Sequence, residues 1–167
     1  MAENGDTCRI LAERHVSDRI LNRFIELFCT VWPSGLLPQD PRATLLRTLF
    51  RAQVLDENHY LSGRFLFELK DGDIENIYLT PILTEHARRR LSERFNMRGD
   101  EGFIRIIHEI NAGRALSRRE RRQYEVYKDR TAIRFENRVY ILNDSGVIIT
   151  VLDDTMFENN NRKRGFE

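Results

Sequence analysis

From Val16 to Trp32 the apolar positions are Val16, Ile20, Leu21, Phe24, Ile25, Leu27, Phe28 and Val31. That spacing has a helical period and predicts a helix with a broad buried face. Ser17 and Asp18 place acceptors near its start. Pro33-Ser34-Gly35 stops it. Asp40 followed by Pro41 is a cap with proline at the first helical position. The second helix it opens has an apolar row of Leu45, Leu46, Leu49, Phe50 and Val54, and the two helices are expected to form an antiparallel hairpin. Residues Arg64 to Leu69 alternate and predict a strand, with a turn at Lys70-Asp71-Gly72-Asp73. Ile74 to Thr80 reads either as a return strand or as a loop leading into Pro81.

Thr84 is placed to cap a further helix, with Glu85 in its first turn. Leu83, Ala87, Leu91 and Phe95 repeat every four residues along one edge of it. His86, Arg90 and Arg94 repeat at the same spacing on the neighbouring row, about 100° round the axis. If the apolar edge rests on a core, this row runs along the border with solvent. Asn96 to Gly99 is a break. Asp100 then opens a helix with Phe103, Ile106, Ile107 and Ile110 on one face, closed by Asn111 and Gly113. His108 lies off that face and is expected to point to solvent. Ser117-Arg118-Arg119-Glu120 fits a capping box for a short basic turn.

From Gln123 the period changes to two. Strands are expected at 124–127, 132–135, 138–142 and 147–152, joined by short turns into an antiparallel meander. On the last strand Val147, Ile149 and Val151 would share one face, and Ile148, Thr150 and Leu152 the other. The polar stretch 156–167 reads as a disordered tail. The expected class is α+β, with a helical hairpin followed by two helices on a four-stranded antiparallel meander. Residues 1–79 would form a helical extension with room for a β-hairpin, and residues 80–155 the second domain.

Composition adds three constraints. No apolar run approaches the ~20 residues of a membrane span, and Met1 to Arg9 lacks the pattern of a secretory signal. Cys8 and Cys29 have no metal-ligand spacing and read as free thiols, so a cytoplasmic location is expected. The net charge of +1 hides a strong asymmetry. Residues 86–138 carry 15 Lys+Arg against 8 Asp+Glu, whereas residues 1–85 carry 9 against 13 and residues 139–167 carry 3 against 5. Arginine supplies 24 of the 27 cations, and its planar fork suits phosphate better than a lysine point charge does.

The candidate chemistry follows from that basic stretch. There is no glycine-rich phosphate loop, metal-ligand cluster or nucleophile elbow in the sequence. What remains is His86, the arginines, Tyr124, Tyr127 and Tyr140, and Thr150 inside an apolar strand. Histidine exchanges protons near neutral pH. Arginines stabilise charge on a phosphate, and tyrosine stacks on bases. This set suits cleavage of RNA by its own 2′-hydroxyl, with no cofactor. His15 and His59 read as surface or capping residues. The run Arg118, Arg119, Arg121 and Arg122 suggests a polyanion contact. Arg118, Arg119, Arg122 and Tyr127 are the expected substrate contacts there.

The order His86-Ala87-x-x-Arg90-x-x-x-Arg94, Ile107-x-x-Ile110-x-x-Gly113, meander, Val147-Ile148-Ile149-Thr150-Val151 also resembles a family. It is similar to the toxin-like domains of the barnase–EndoU–colicin–RelE ribonuclease superfamily, of the DUF4258 type, over about residues 80–155. The resemblance implies helices packed on an antiparallel sheet and a metal-independent endoribonuclease. It assigns His86, Arg90 and Thr150 as the polar catalytic positions, with Arg94 a looser match in substrate binding. RNA would be the partner, and residues 1–79, which have no counterpart in the short toxin domains, could take up a cognate inhibitor or another protein. Two readings without catalysis remain. One is an RNA- or protein-binding module on the same fold, for example an inhibitor of a transcription or translation component. The other is a basic surface for an acidic partner.

Overall fold

A computed structural model describes residues 16–32 and 37–155. The expectations for Met1 to Arg9, Cys8, His15, the Pro33-Ser34-Gly35 stop and the 156–167 tail lie outside these residues. The chain divides into two compact units, Met1–Thr80 and Pro81–Glu167. Its class is α+β.

In the first unit, α1 spans Asp18–Val31, and the Ser17 hydroxyl accepts from the Ile20 N–H. Helix α2 spans Pro41–Phe50, with Asp40 accepting from the Ala43 N–H at 2.9 Å. A four-stranded antiparallel sheet follows in chain order: β1 (Gln53–Val54), β2 (His59–Ser62), β3 (Phe65–Lys70) and β4 (Asp73–Leu79). Residues Ile74 to Leu79 therefore belong to a return strand. Its turn places Asp71 and Gly72 at φ 49° and 90°, the left-handed pair that matches the twist of a hairpin. Strands β1 and β2 give no sequence signal, because β1 has only two residues and all four of β2 are half-buried, without alternation. The core joins Phe24, Leu45 and Leu49 from the helices to Phe65, Phe67 and Ile77 from the sheet. The Phe24 and Phe65 rings lie 5.3 Å apart. His59, expected as a surface or capping residue, is half-buried and has a partner. Its Nδ1 sits 2.8 Å from Asp56 Oδ1, which also accepts the Asn58 and His59 N–H groups. Burial works against that carboxylate, but these bonds outweigh it and lower its pKa.

The second unit runs β5 (Ile82–Leu83), α3 (Glu85–Phe95), α4 (Gly99–Ala112), β6 (Arg114–Ala115), α5 (Arg118–Gln123), β7 (Thr131–Phe135), β8 (Arg138–Leu142) and β9 (Val147–Asp153). Its sheet has the order β5-β9-β8-β7-β6. Strand β5 is parallel to β9 and the other pairs are antiparallel. The expected strand at Tyr124–Tyr127 is absent. Tyr124 ends α5 and the chain turns there, while β5 and β6 border the sheet instead. Tyr124 and Val126 are apolar because they cover the sheet, packed with Leu116, Ala132, Val139 and Ile141. Tyr140, Leu142, Ile148 and Val151 face the other way, onto Ala87 and Leu91 of α3 and Ile106 of α4. Strand β8 is thus covered on both faces and every residue of it is buried.

Strand β9 departs from simple alternation. Ile141 pairs with Thr150 but Leu142 pairs with Ile148, so Ile149 is an extra residue. Such a bulge re-aims its neighbours. Here it puts Ile148 and Val151 in one core, whereas strict alternation would separate them.

One polar group lies deep in this unit. Glu109 of α4 is 3% exposed and accepts four bonds. Arg138 of β8 forks onto it, Nε to Oε2 and Nη2 to Oε1, each at 2.6 Å. The Tyr140 hydroxyl donates to Oε2 at 2.5 Å and Arg105 Nε to Oε1 at 2.9 Å. Burial first, then the Glu109 carboxylate, pushes the Tyr140 phenol far up, so it stays protonated. Gly113 closes α4 by close approach, not by a left-handed turn: a Cβ there would meet Ile133 Cγ2 at 2.5 Å. Glu109→Ala should cost about 3–5 kcal/mol, because it leaves Arg138 charged and buried without its partner. The loss should exceed that of the apolar double replacement Glu109→Leu, Arg138→Met. Urea unfolding of the two variants checks the order.

Candidate functional site

The site is built where α3 starts beside the bulge of β9. The Thr84 N–H donates to the Ile148 carbonyl at 3.0 Å, and its hydroxyl donates to the Ile149 carbonyl at 2.9 Å. The same hydroxyl accepts the Ala87 N–H as the cap of α3. One side chain therefore caps the helix and ties it to the strand. Ala87 and Leu91 are buried, which turns the next row of the helix to the border of the core. On that row Arg90 is half-buried and His86 and Arg94 are exposed. Arg90 Nη1 donates to the Thr150 hydroxyl at 2.7 Å, joining residues 60 apart in the chain.

The helix sorts its cations. Arg88 and Arg89 lie 3.9 and 4.0 Å from Glu85 and Glu93. Arg90 and Arg94 have no carboxylate partner among the described residues. A guanidinium has five N–H donors, and Arg90 commits one of them to Thr150. The rest remain for an anion. The His86 ring makes no hydrogen bond or ion pair among the described residues.

The other expected contacts lie elsewhere in the unit. Arg118, Arg119 and Arg122 are exposed on α5, and Tyr127 is exposed in the turn after it. These residues belong to the β6–β7 connection, whose Tyr124 and Val126 cover the sheet face opposite the one α3 packs on. Arg90, Thr150 and their helix neighbours form one group, and the α5 residues form another. Of the three tyrosines, Tyr124 and Tyr140 are buried, with their hydroxyls on Asp154 and Glu109, so only Tyr127 can meet a ligand. His108 is half-buried, not solvent-facing. The Glu109–Arg138–Tyr140 network escaped the sequence reading. The available signal was a carboxylate three residues beyond Ile106, on the buried side of α4.

Around α5 the acids serve to hold the fold. Ser117 and Glu120 form the capping box, and Glu120 also takes Arg114 at 2.5 Å and Arg134 at 3.1 Å. Arg134 reaches the buried Asp154 as well. The Arg114 guanidinium, then Ser117, hold the Glu120 carboxyl well below the usual range, with burial opposing and Arg134 adding.

No family model, curated protein or solved structure matches the chain. No helix among the described residues is long and apolar enough to cross a membrane.

The lowered Glu120 carboxyl has a definite pH consequence. A depressed folded-state pKa stabilises the fold above the ordinary glutamate value of about 4.3, and that contribution is lost as pH falls through the folded value. Protection of the α5 amides against hydrogen exchange should therefore persist through pH 4 and fade only in stronger acid. Glu120→Gln should show the weakened protection already at pH 7.

Proposed function

We propose that the chain is a metal-independent endoribonuclease of the barnase–EndoU–colicin–RelE kind, acting at the junction of α3 and β9. The observation that carries this reading is the Arg90–Thr150 bond, which sets a guanidinium at a helix–strand junction with His86 one turn away on the same row. A phosphate there would accept from the remaining Arg90 donors, with Arg94 a turn further on. The Thr150 hydroxyl orients the Arg90 fork. His86 exchanges a proton with the RNA as base or acid. The 2′-oxygen loses its proton and bonds to phosphorus, the bond from phosphorus to the 5′-oxygen breaks, and the leaving oxygen gains a proton. The product is a cyclic phosphate. Two α-helices on one face of an antiparallel β7-β8-β9 meander are the scaffold such a site needs.

A second reading is favoured by one observation. The exposed His86 has no hydrogen-bond partner to orient its ring, whereas acid–base groups are commonly held by a third group. On that reading the same surface binds RNA without cutting it. In the first unit the exposed Trp32, Leu37, Phe50 and Val54 offer apolar surface for a protein partner such as an inhibitor.

Incubation of the purified full chain with RNA in EDTA separates the two. The nuclease reading expects cleavage that falls roughly 10²–10⁴-fold in His86→Ala, a surface change that leaves the core intact. Arg90→Gln should lower the rate with little change in pH profile, since it alters charge stabilisation and not proton exchange. RNA bound but uncut by the unaltered chain would establish the binding module and overturn the enzyme.

A further inference from the structure

The basic turn after β6 holds more arginine than the fold uses. Helix α5 has six residues, too few to persist alone, and the Glu120 bonds to Arg114, Arg134 and Ser117 hold it in place. Its four arginines divide by role. Arg121 turns inward and Nη2 donates to the carbonyls of Tyr127 and Arg130, each at 2.8 Å. Arg118, Arg119 and Arg122 are exposed and make no ion pair among the described residues.

The loop that Arg121 holds is itself constrained. Glu125 takes φ 54°, a left-handed conformation that a side chain resists. The Val126 N–H bonds to the Arg121 carbonyl at 2.8 Å, and its side chain packs in the core with Leu116 and Tyr124. The next residue, Tyr127, is 77% exposed. A large ring kept in water on a backbone pinned at both sides contributes little to folding. The same β6–β7 connection carries three exposed guanidiniums that make no ion pair among the described residues, together with the exposed acids Glu125 and Asp129.

We propose that α5 and the 124–130 loop form a second binding surface, for a single-stranded polynucleotide. Tyr127 stacks on an unpaired base, and Arg118, Arg119 and Arg122 hold the phosphates on either side. Arg121 is a positioning residue that fixes the loop carrying the ring. Stacking on a presented ring requires a base free of its own helix, which selects single strands. An acidic protein would meet the arginines too, and competition by polyglutamate tells it apart from a polynucleotide. The surface is built from the β6–β7 connection, and Arg90 and Thr150 come from α3 and β9, so binding here is tested apart from cleavage there.

The test uses the full chain carrying His86→Ala, so that RNA is not consumed, and fluorescent 12-mers of uridylate and thymidylate read by anisotropy. Tyr127→Ala should weaken binding roughly 5- to 150-fold, and Tyr127→Phe should restore it. Arg118→Gln, Arg119→Gln and Arg122→Gln together should lower the slope of log affinity against log salt by about 2. Arg121→Gln should weaken binding in the Tyr127 chain but have little further effect in Tyr127→Ala. A general loss of structure would not produce that pattern. Equal dependence on Tyr127 for RNA and DNA supports stacking with phosphate contact, and stronger binding of RNA with the same dependence adds a contact to the 2′-hydroxyl. Binding unaffected by Tyr127→Ala, with polyglutamate competing as well as the oligonucleotide, would overturn the proposal in favour of an acidic protein partner. Loss of cleavage in the unaltered chain with this binding intact would sink only the nuclease reading.

Discussion

The second unit depends on a carboxylate kept out of water. Isolated burial of Glu109 would be costly, and the charge is tolerable because four donors converge on its two oxygens. Those donors come from α4 itself and from β8, the strand covered on both faces. The apolar cluster around Tyr140 and Leu91 supplies most of the burial but sets no register. The forked Arg138 contact does, because a one-residue slip of β8 would turn Arg138 and Tyr140 away from Glu109 together. The position of α4 then decides where Gly113 meets β7 and where β6 can pair.

The candidate site is a consequence of that packing. With α4 and α3 seated on the same face, the start of α3 falls beside β9, and Thr84 bonds to strand and helix at once. The bulge at Ile149 lets Ile148 and Val151 share the core and leaves Thr150 at its margin. A polar residue in an apolar strand would ordinarily bond to backbone. Here its hydroxyl meets a guanidinium from a helix 60 residues earlier.

The same packing sorts the arginines. Arg138 is buried, Arg134 and Arg114 are spent on Glu120 and Asp154, and Arg121 holds a loop. Arg94, Arg118, Arg119 and Arg122 are left outward without acids among the described residues. A charge balance along the chain cannot make this distinction, because structural and solvent-facing guanidiniums count alike. The surplus cations lie on two separate elements, α3 and α5, not on a single stripe.

Local chemistry was readable wherever it acts over a few residues. Asp40-Pro41, Thr84 and the Ser117–Glu120 capping box open helices at those points because a cap needs only its own next three amides. The rows Ala87–Leu91 and His86–Arg90–Arg94 follow from helical spacing alone. The sequence misled where one signal has two causes. Tyr124 and Val126 alternate like a strand, yet they are apolar because a turn covers the sheet with them. Strands β1, β5 and β6 have two residues each, too few to show alternation, and the pairing of β5 and β6 comes from partners distant in the chain. Long-range contact alone decided the β9 bulge, the meeting of Arg90 with Thr150, and the burial of Glu109 beneath Arg138. A hydrogen bond between residues far apart leaves no periodicity in either segment, so periodicity along the chain does not reveal it, and only the order of motifs set Arg90 and Thr150 in one expected site.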